Sequence, residues 1–207
     1  MTPEAEPHVD SPRGFARLDA VLTGQGMTRR EDREAIRPHC MARAFARDQM
    51  LHRAGDVPTH IFFIRSGLVR FHYISADGRE HNKSFAWEDQ FAGAAHSAQN
   101  PEPARFFIQA LEPVEAIAVD LAALTRLYES TPAWSELGRR HLESLAARKT
   151  RREAAFLLDS AEQRYRDFLR ETPSLAERLP LYHVASYLGI TDVALSRIRR
   201  RMRLNPG

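Results

Sequence analysis

The sequence predicts an α+β chain built from an N-terminal β jelly roll, one long helix and a C-terminal helix-turn-helix. Three observations predict it. Between about residues 50 and 120, short apolar runs alternate with turn residues, the texture of an antiparallel sandwich or jelly roll. From Ala133 to about Leu158 there is no Pro, and no Gly after Gly138, so nothing interrupts a helix of some seven turns. From Leu181 to Arg203, two short amphipathic segments meet at Gly189, and the second carries a dense arginine face.

In chain order, residues 1–14 (MTPEAEPHVDSPRG) are acidic and Pro-rich with no apolar stretch, which predicts a disordered arm and no secretory leader. Residues 15–50 read as helical, broken by Gly24, Gly26 and Pro38. Strands are predicted at 61–64, 68–74, 80–87, 106–111 and 114–119. Ser66-Gly67 turns the first into the second, and Ala76-Asp77-Gly78 is a hairpin signal. Glu112-Pro113 splits the last two, which read as a pair. These elements predict a jelly-roll domain over 15–131.

The helix over 132–158 places Trp134, Leu137, His141 and Leu145 near one seam, which predicts a dimer contact close to its start. Asp159-Ser160 resembles a helix cap and marks the expected hinge. The next helix has Ala161, Tyr165, Phe168 and Leu169 on one face, and Pro173 and Pro180 bracket another short segment. The helix-turn-helix domain is expected over 159–207.

Leu181, Val184, Ala185 and Leu188 recur at i, i+3, i+4 and i+7, the apolar face of a first helix. Gly189 can take the left-handed backbone that ends it. Thr191 suits the N-cap of a second helix, its hydroxyl accepting from a free backbone N–H. There Leu195, Ile198 and Met202 form one apolar stripe, while Val193, Ser196, Arg197 and Arg200 point the opposite way. Such a second helix enters the DNA major groove. Arg197, one turn in and outward, suits a bidentate contact to guanine worth about 1–3 kcal/mol of discrimination. Ser196 and Val193 flank it. Arg199, Arg200, Arg201 and Arg203 suit phosphates, and Tyr182, His183 and Thr191 could donate to the DNA backbone.

Charge agrees. The net +3 divides into 15 Lys+Arg against 18 Asp+Glu over residues 1–131, and 15 against 9 over residues 132–207. Cationic charge beside a helix-turn-helix is what phosphate neutralisation requires. The single cysteine, Cys40, excludes an internal disulfide framework, suits a reducing cytoplasm, and cannot supply an iron–sulfur cluster. No run of about 18 apolar residues could cross a bilayer. There is no nucleophile elbow, P-loop, His-Glu-x-x-His or His-x-His, so the chain is not expected to be an enzyme, and no metal is expected.

The order of these parts resembles the Crp/Fnr family of bacterial transcription regulators, from about Cys40 to Met202. LHRAGDVPTHIFFIRSGLVRFHYISADGRE is similar to the first jelly-roll strands of that family, with Gly55, Gly67 and Gly78 at its turns. GITDVALSRIRRRM resembles its turn and recognition helix, above all Leu195-Ser196-Arg197-Ile198. The resemblance implies a cyclic-nucleotide-binding-like jelly roll, a winged helix-turn-helix and a cytoplasmic homodimer on a two-fold symmetric operator of double-stranded DNA. It also implies RNA polymerase and a small-molecule effector as further partners, with no membrane. Relatives reading the common half-site carry a glutamate where Val193 stands; valine can only pack, for example on a thymine methyl.

In cyclic-nucleotide-binding relatives a Gly-Glu pair holds the ribose and an Arg-Ser pair clamps the phosphate. The matching stretch here is FAGAAHSAQNPEPARFFIQALE. Gly93 fits, but Ala94 replaces the glutamate, and Arg105 is followed by Phe106 and shifted by one residue, which on a strand reverses its face. Cyclic AMP is therefore not the expected effector. Arg105, Gly93, Ala94, His96 and Ser97 are the residues expected to line an effector site of unknown ligand, and the sequence names no cofactor. A different class of function also fits: a small-molecule-sensing jelly roll that regulates a protein partner without binding DNA.

Overall fold

The apolar runs of the first half become strands because both of their faces find cover. In β3 (His60–Ser66) and β8 (Val114–Asp120), Phe62, Ile64, Ala116 and Ala118 join one core, while Phe63, Ile117 and Val119 join another. Successive side chains leave a strand on opposite faces, so a doubly covered strand reads as unbroken apolar sequence. The computed structural model describes residues 12–94 and 102–204. It divides into two compact units, Met1–His72 with Ser84–Leu142, and Tyr73–Lys83 with Glu143–Gly207.

The first unit is built on two four-stranded sheets. One runs in the order β1 (Cys40–Phe45), β8, β3, β6 (Phe91–Ala92). The other runs β2 (Met50–His52), β7 (Phe107–Ala110), β4 (Val69–Ile74), β5 (Glu80–Ala86). Phe62, Ile64, Val69, Phe71 and Ile108 fill the core shared by the two sheets. This is the expected jelly roll with two corrections. Residues 40–45 were expected to be helical but form β1, which pairs antiparallel with β8 from Cys40↔Val119 to Phe45↔Val114. Strands β7 and β8 do not pair with each other; the corner between them switches sheets, β7 lying between β2 and β4 and β8 between β1 and β3.

Gly67 makes another sheet-switching corner, between β3 and β4. Its φ is +95°, and a Cβ there would lie 2.3 Å from the Pro113 carbonyl oxygen. Only glycine satisfies both constraints.

Helices close the outer face of the first sheet. Helix α1 (Pro12–Gly24) begins inside the segment expected to be a disordered arm, whose residues 1–11 lie outside the described residues. It buries Phe15, Leu18 and Leu22, and Arg17 forks onto Asp89 through bonds of 2.8 and 2.7 Å. After the short α2 (Arg30–Glu34), α3 (Leu121–Ser130) is capped by Asp120, whose carboxylate accepts from Ala123 N at 2.6 Å. Helix α4 (Pro132–Leu158) has the bounds the sequence predicts.

Two of the residues expected in a dimer seam near the start of α4 face inward instead. Trp134 and Leu137 are buried with Leu18, Leu22 and Leu124, and Trp134 Nε1 donates to the Asp32 carbonyl at 2.8 Å. Burying such side chains stabilises by about 1.5–3 kcal/mol each, which a switch to an intersubunit seam would forfeit. His141 is exposed.

The second unit is helical apart from its strand hairpin. It comprises the remainder of α4, then α5 (Ala161–Glu171), α6 (Pro173–Arg178), α7 (Leu181–Leu188) and α8 (Asp192–Leu204). Ser160 caps α5 as expected, accepting from Gln163 N at 3.1 Å. Among the described residues from 143 onward there is no strand, so they include none of the wing that the resemblance implies. The expected hinge is braced: Arg164 Nη1 donates to Asp159 O at 2.7 Å, and its Nε donates to Leu188 O at 3.3 Å.

Gly67→Ala should destabilise the chain by more than about 2 kcal/mol, because strain and clash act together. Gly24→Ala, with open space around the added carbon, should change stability by less than about 0.5 kcal/mol. Denaturant midpoints that fall equally for both would refute the Gly67 assignment.

Candidate nucleic-acid interface

Helices α7 and α8 pack together, and Gly189 sets the turn between them. Its φ is +69°, and Ile190 N–H donates back to the Ala185 carbonyl at 3.1 Å. A Cβ on Gly189 would also approach Phe156 Cε1 to 2.8 Å. The second helix starts at the expected cap, with Thr191 Oγ1 accepting from Ala194 N at 3.2 Å.

Helix α8 then separates its two faces. Leu195 is 1% and Ile198 3% exposed, and Met202 is half-buried. Val193, an apolar side chain, is 61% exposed, and Ser196, Arg197 and Arg200 are exposed with it. Among the described residues Arg197 and Arg200 have no carboxylate partner, whereas Arg17, Arg30, Arg37, Arg139 and Arg170 do. Arg201 is exposed but turns toward α5, 3.4 Å from Glu162. Arg199 is half-buried, and the Arg203 side chain lies outside the described residues.

Of the further backbone donors expected, Thr191 and Tyr182 are exposed, but His183 is not available to DNA. It is 4% exposed, and its Nδ1 lies 3.1 Å from Asn82 Nδ2 on the hairpin. The hairpin and α4 brace this helix pair in ways no local pattern announces. Asn82 N donates to Ser186 Oγ at 2.9 Å. On α4, the Arg152 guanidinium lies 4.0 Å from the Tyr187 ring centroid and 4.8 Å from that of Phe156, and donates to Tyr187 O at 2.9 Å. Stacked arginine of this kind contributes about 0.5–2 kcal/mol. Lys83, beside Asn82, is partly withdrawn from water, and burial, with Lys149 and Arg152 nearby, pushes its pKa down to about 8.

The expected effector residues are less coherent. Gly93 is required by packing, since a Cβ would lie 2.7 Å from Ile61 Cγ1. Ala94 is buried, Arg105 is exposed ahead of β7, and His96 and Ser97 lie outside the described residues. A mainly apolar cavity of about 50 Å³ lies elsewhere, lined by Leu18, Leu22, Phe91, Tyr128, Trp134 and Leu137. Cys40 is half-buried, its thiol donating to Ile36 O at 3.4 Å, and burial pushes its pKa up to about 12. Such a thiol is neither a nucleophile nor a ready metal ligand.

Residues 42–131 match the family described as Cyclic nucleotide-binding domain. Likeness to solved structures extends over more of the chain. FixK2 from Bradyrhizobium japonicum superposes with a TM-score of 0.65 at 18% identity, covering 80% of this chain and 85% of that one. The c-di-GMP responsive global regulator CLP from Xanthomonas campestris gives 0.67 at 15%, covering 84% and 91%. A transcriptional regulator of the Crp/Fnr family from Eubacterium rectale gives 0.65 at 14%, covering 85% and 84%. The chain has the Crp/Fnr fold. Comparison with curated proteins returned no match.

Between pH 8 and about 10.5, Lys83 has lost its proton in the folded chain but keeps it when unfolded. The unfolded state then binds more protons, so stability rises with pH across that window. Wild type should gain stability on Lys83→Met as pH rises from about 8 to 10; parallel denaturation midpoints would contradict the shift.

Proposed function

We propose that this chain is a sequence-specific DNA-binding transcription regulator of Crp/Fnr type, acting as a cytoplasmic homodimer on a two-fold symmetric operator. The observation that carries the reading is the division of α8: Leu195 and Ile198 sealed inside, Val193, Ser196, Arg197 and Arg200 outside, with no ion pair to the two arginines among the described residues. Arg197 is the base-reading residue, bidentate to guanine, with Ser196 and Val193 beside it. Arg200, Arg201, Arg203 and Thr191 hold phosphates. The Arg201–Glu162 pair does not oppose this, because an exposed pair is worth about 0–1 kcal/mol and a phosphate is a stronger competitor.

Two recognition helices must sit about 34 Å apart to enter successive major grooves, so dimerisation is part of the reading. With Trp134 and Leu137 committed inward, the subunit contact falls to the exposed apolar side chains farther along α4, Leu142, Leu157 and Leu158. RNA polymerase is the partner through which a bound dimer would act. The jelly roll serves as sensor. Its effector is a small molecule other than cyclic AMP, since Ala94 offers no ribose acceptor and the exposed Arg105 forms no evident phosphate clamp; Gly93, His96 and Ser97 remain the residues of this site to probe. No catalytic role is proposed.

Selection of bound fragments from a random duplex pool would define the operator. Arg197→Ala should then cost about 1–3 kcal/mol on the selected sequence while generic binding changes little, flattening preference. An equal loss on all sequences would assign Arg197 to phosphate. Absence of duplex binding would favour a jelly roll that regulates a protein partner.

A further inference from the structure

We propose that His183 is a proton-operated latch: its uncharged ring holds the Tyr73–Lys83 hairpin on α7, and protonation at Nδ1 releases it. The geometry of one amide carries the argument. Asn82, 4% exposed, places Nδ2 at 3.0 Å from the His183 carbonyl and 3.1 Å from His183 Nδ1. A carbonyl oxygen only accepts, so the amide atom beside it is the nitrogen. That nitrogen has two hydrogens, one for the carbonyl and one for the ring. Nδ1 must therefore offer a lone pair.

An imidazolium carries a hydrogen on both ring nitrogens. Protonated Nδ1 would set a donor against the Asn82 donor. Turning the amide over would satisfy the ring but press Oδ1 against the His183 carbonyl, acceptor on acceptor. Neither orientation serves a charged ring, and the site is too enclosed for water to mediate cheaply. The rest of the clasp lies one turn along α7, where Asn82 N donates to Ser186 Oγ at 2.9 Å and Ser186 Oγ donates to Glu80 O at 3.3 Å.

The charged or titratable groups around α7 carry both signs, and the Tyr182 ring lies against that of His183 with centroids 4.2 Å apart. Glu80, His81 and Lys83 lie on the hairpin, Arg152 on α4 and Arg164 on α5, each arginine bonded to an α7 carbonyl, and half-buried Arg199 lies on α8. His81 is exposed.

The latch is independent of the DNA-binding reading, and its test uses no DNA. In the isotopically labelled full chain at about pH 7.5, long-range ¹H–¹⁵N spectra should show His183 with Nδ1 unprotonated. Between about pH 7.5 and 5.5, protection of the Asn82 amide against hydrogen exchange, corrected for intrinsic rate, should fall at least about tenfold in step with His183 titration. His183→Asn, whose side-chain oxygen can stand where Nδ1 accepts, should keep Asn82 protection within about twofold over the same range. A proton on Nδ1 at about pH 7.5 would overturn the proposal, as would Asn82 protection that does not move with pH. The wild-type spectra decide the matter even if the variant fails to fold.

Discussion

Leu195 and Ile198 are buried on the side of α8 opposite Val193, Ser196, Arg197 and Arg200, and Val184, Ala185 and Leu188 are buried on its partner α7. Leu195, Ile198, Val184 and Leu188 contribute about 1.5–3 kcal/mol each on leaving water, so with Ala185 they supply on the order of 10 kcal/mol as an upper bound. The ion pair that engages α8, Arg201 with Glu162, contributes no more than about 1 kcal/mol. Apolar burial therefore decides which way the helix is rotated. The arginines face outward because the opposite face has nowhere else to go, and function follows from that rotation.

What surrounds the pair makes it rigid. Gly189 combines a left-handed backbone with a contact too close for any side chain, so the angle between α7 and α8 is held by both backbone and packing. Arg152 and Arg164 reach from α4 and α5 to the carbonyls of Tyr187 and Leu188 at the end of α7, satisfying groups a helix terminus otherwise leaves to water. The stacked guanidinium and Phe156 fill the space beside them. A surface that must enter a groove without rearranging gains from such bracing, since ordering costs are met during folding and not during binding.

Much of this was legible in the sequence where the signal was local. The bounds of α4 followed from an absence of breakers, the α5 start from Ser160, and the turn from Gly189 and Thr191, because caps and left-handed positions are decided within four residues. Strand β1 was not legible: Met41, Ala42, Arg43 and Ala44 are good helix formers, and only pairing with β8, over seventy residues away, makes them a strand. The inward use of Trp134 and Leu137 was hidden for the same reason, their partners lying on α1 and α3. At the site, the outward residues of α8 came from periodicity alone. The burial of His183 did not, since Asn82 is 101 residues distant and nothing near either residue hints at the other. Gly93 shows the converse: a glycine matching a ligand motif is sufficiently explained by its contact with Ile61.

The most direct measurement of the central claim is the salt dependence of binding to generic duplex DNA. If the outward face of α8 lies on phosphates, Arg200, Arg201 and Arg203 from two subunits neutralise about six of them, and log affinity should fall against log salt with a slope of about −5. A slope near zero, or no duplex binding at about 50 mM salt, would contradict the account.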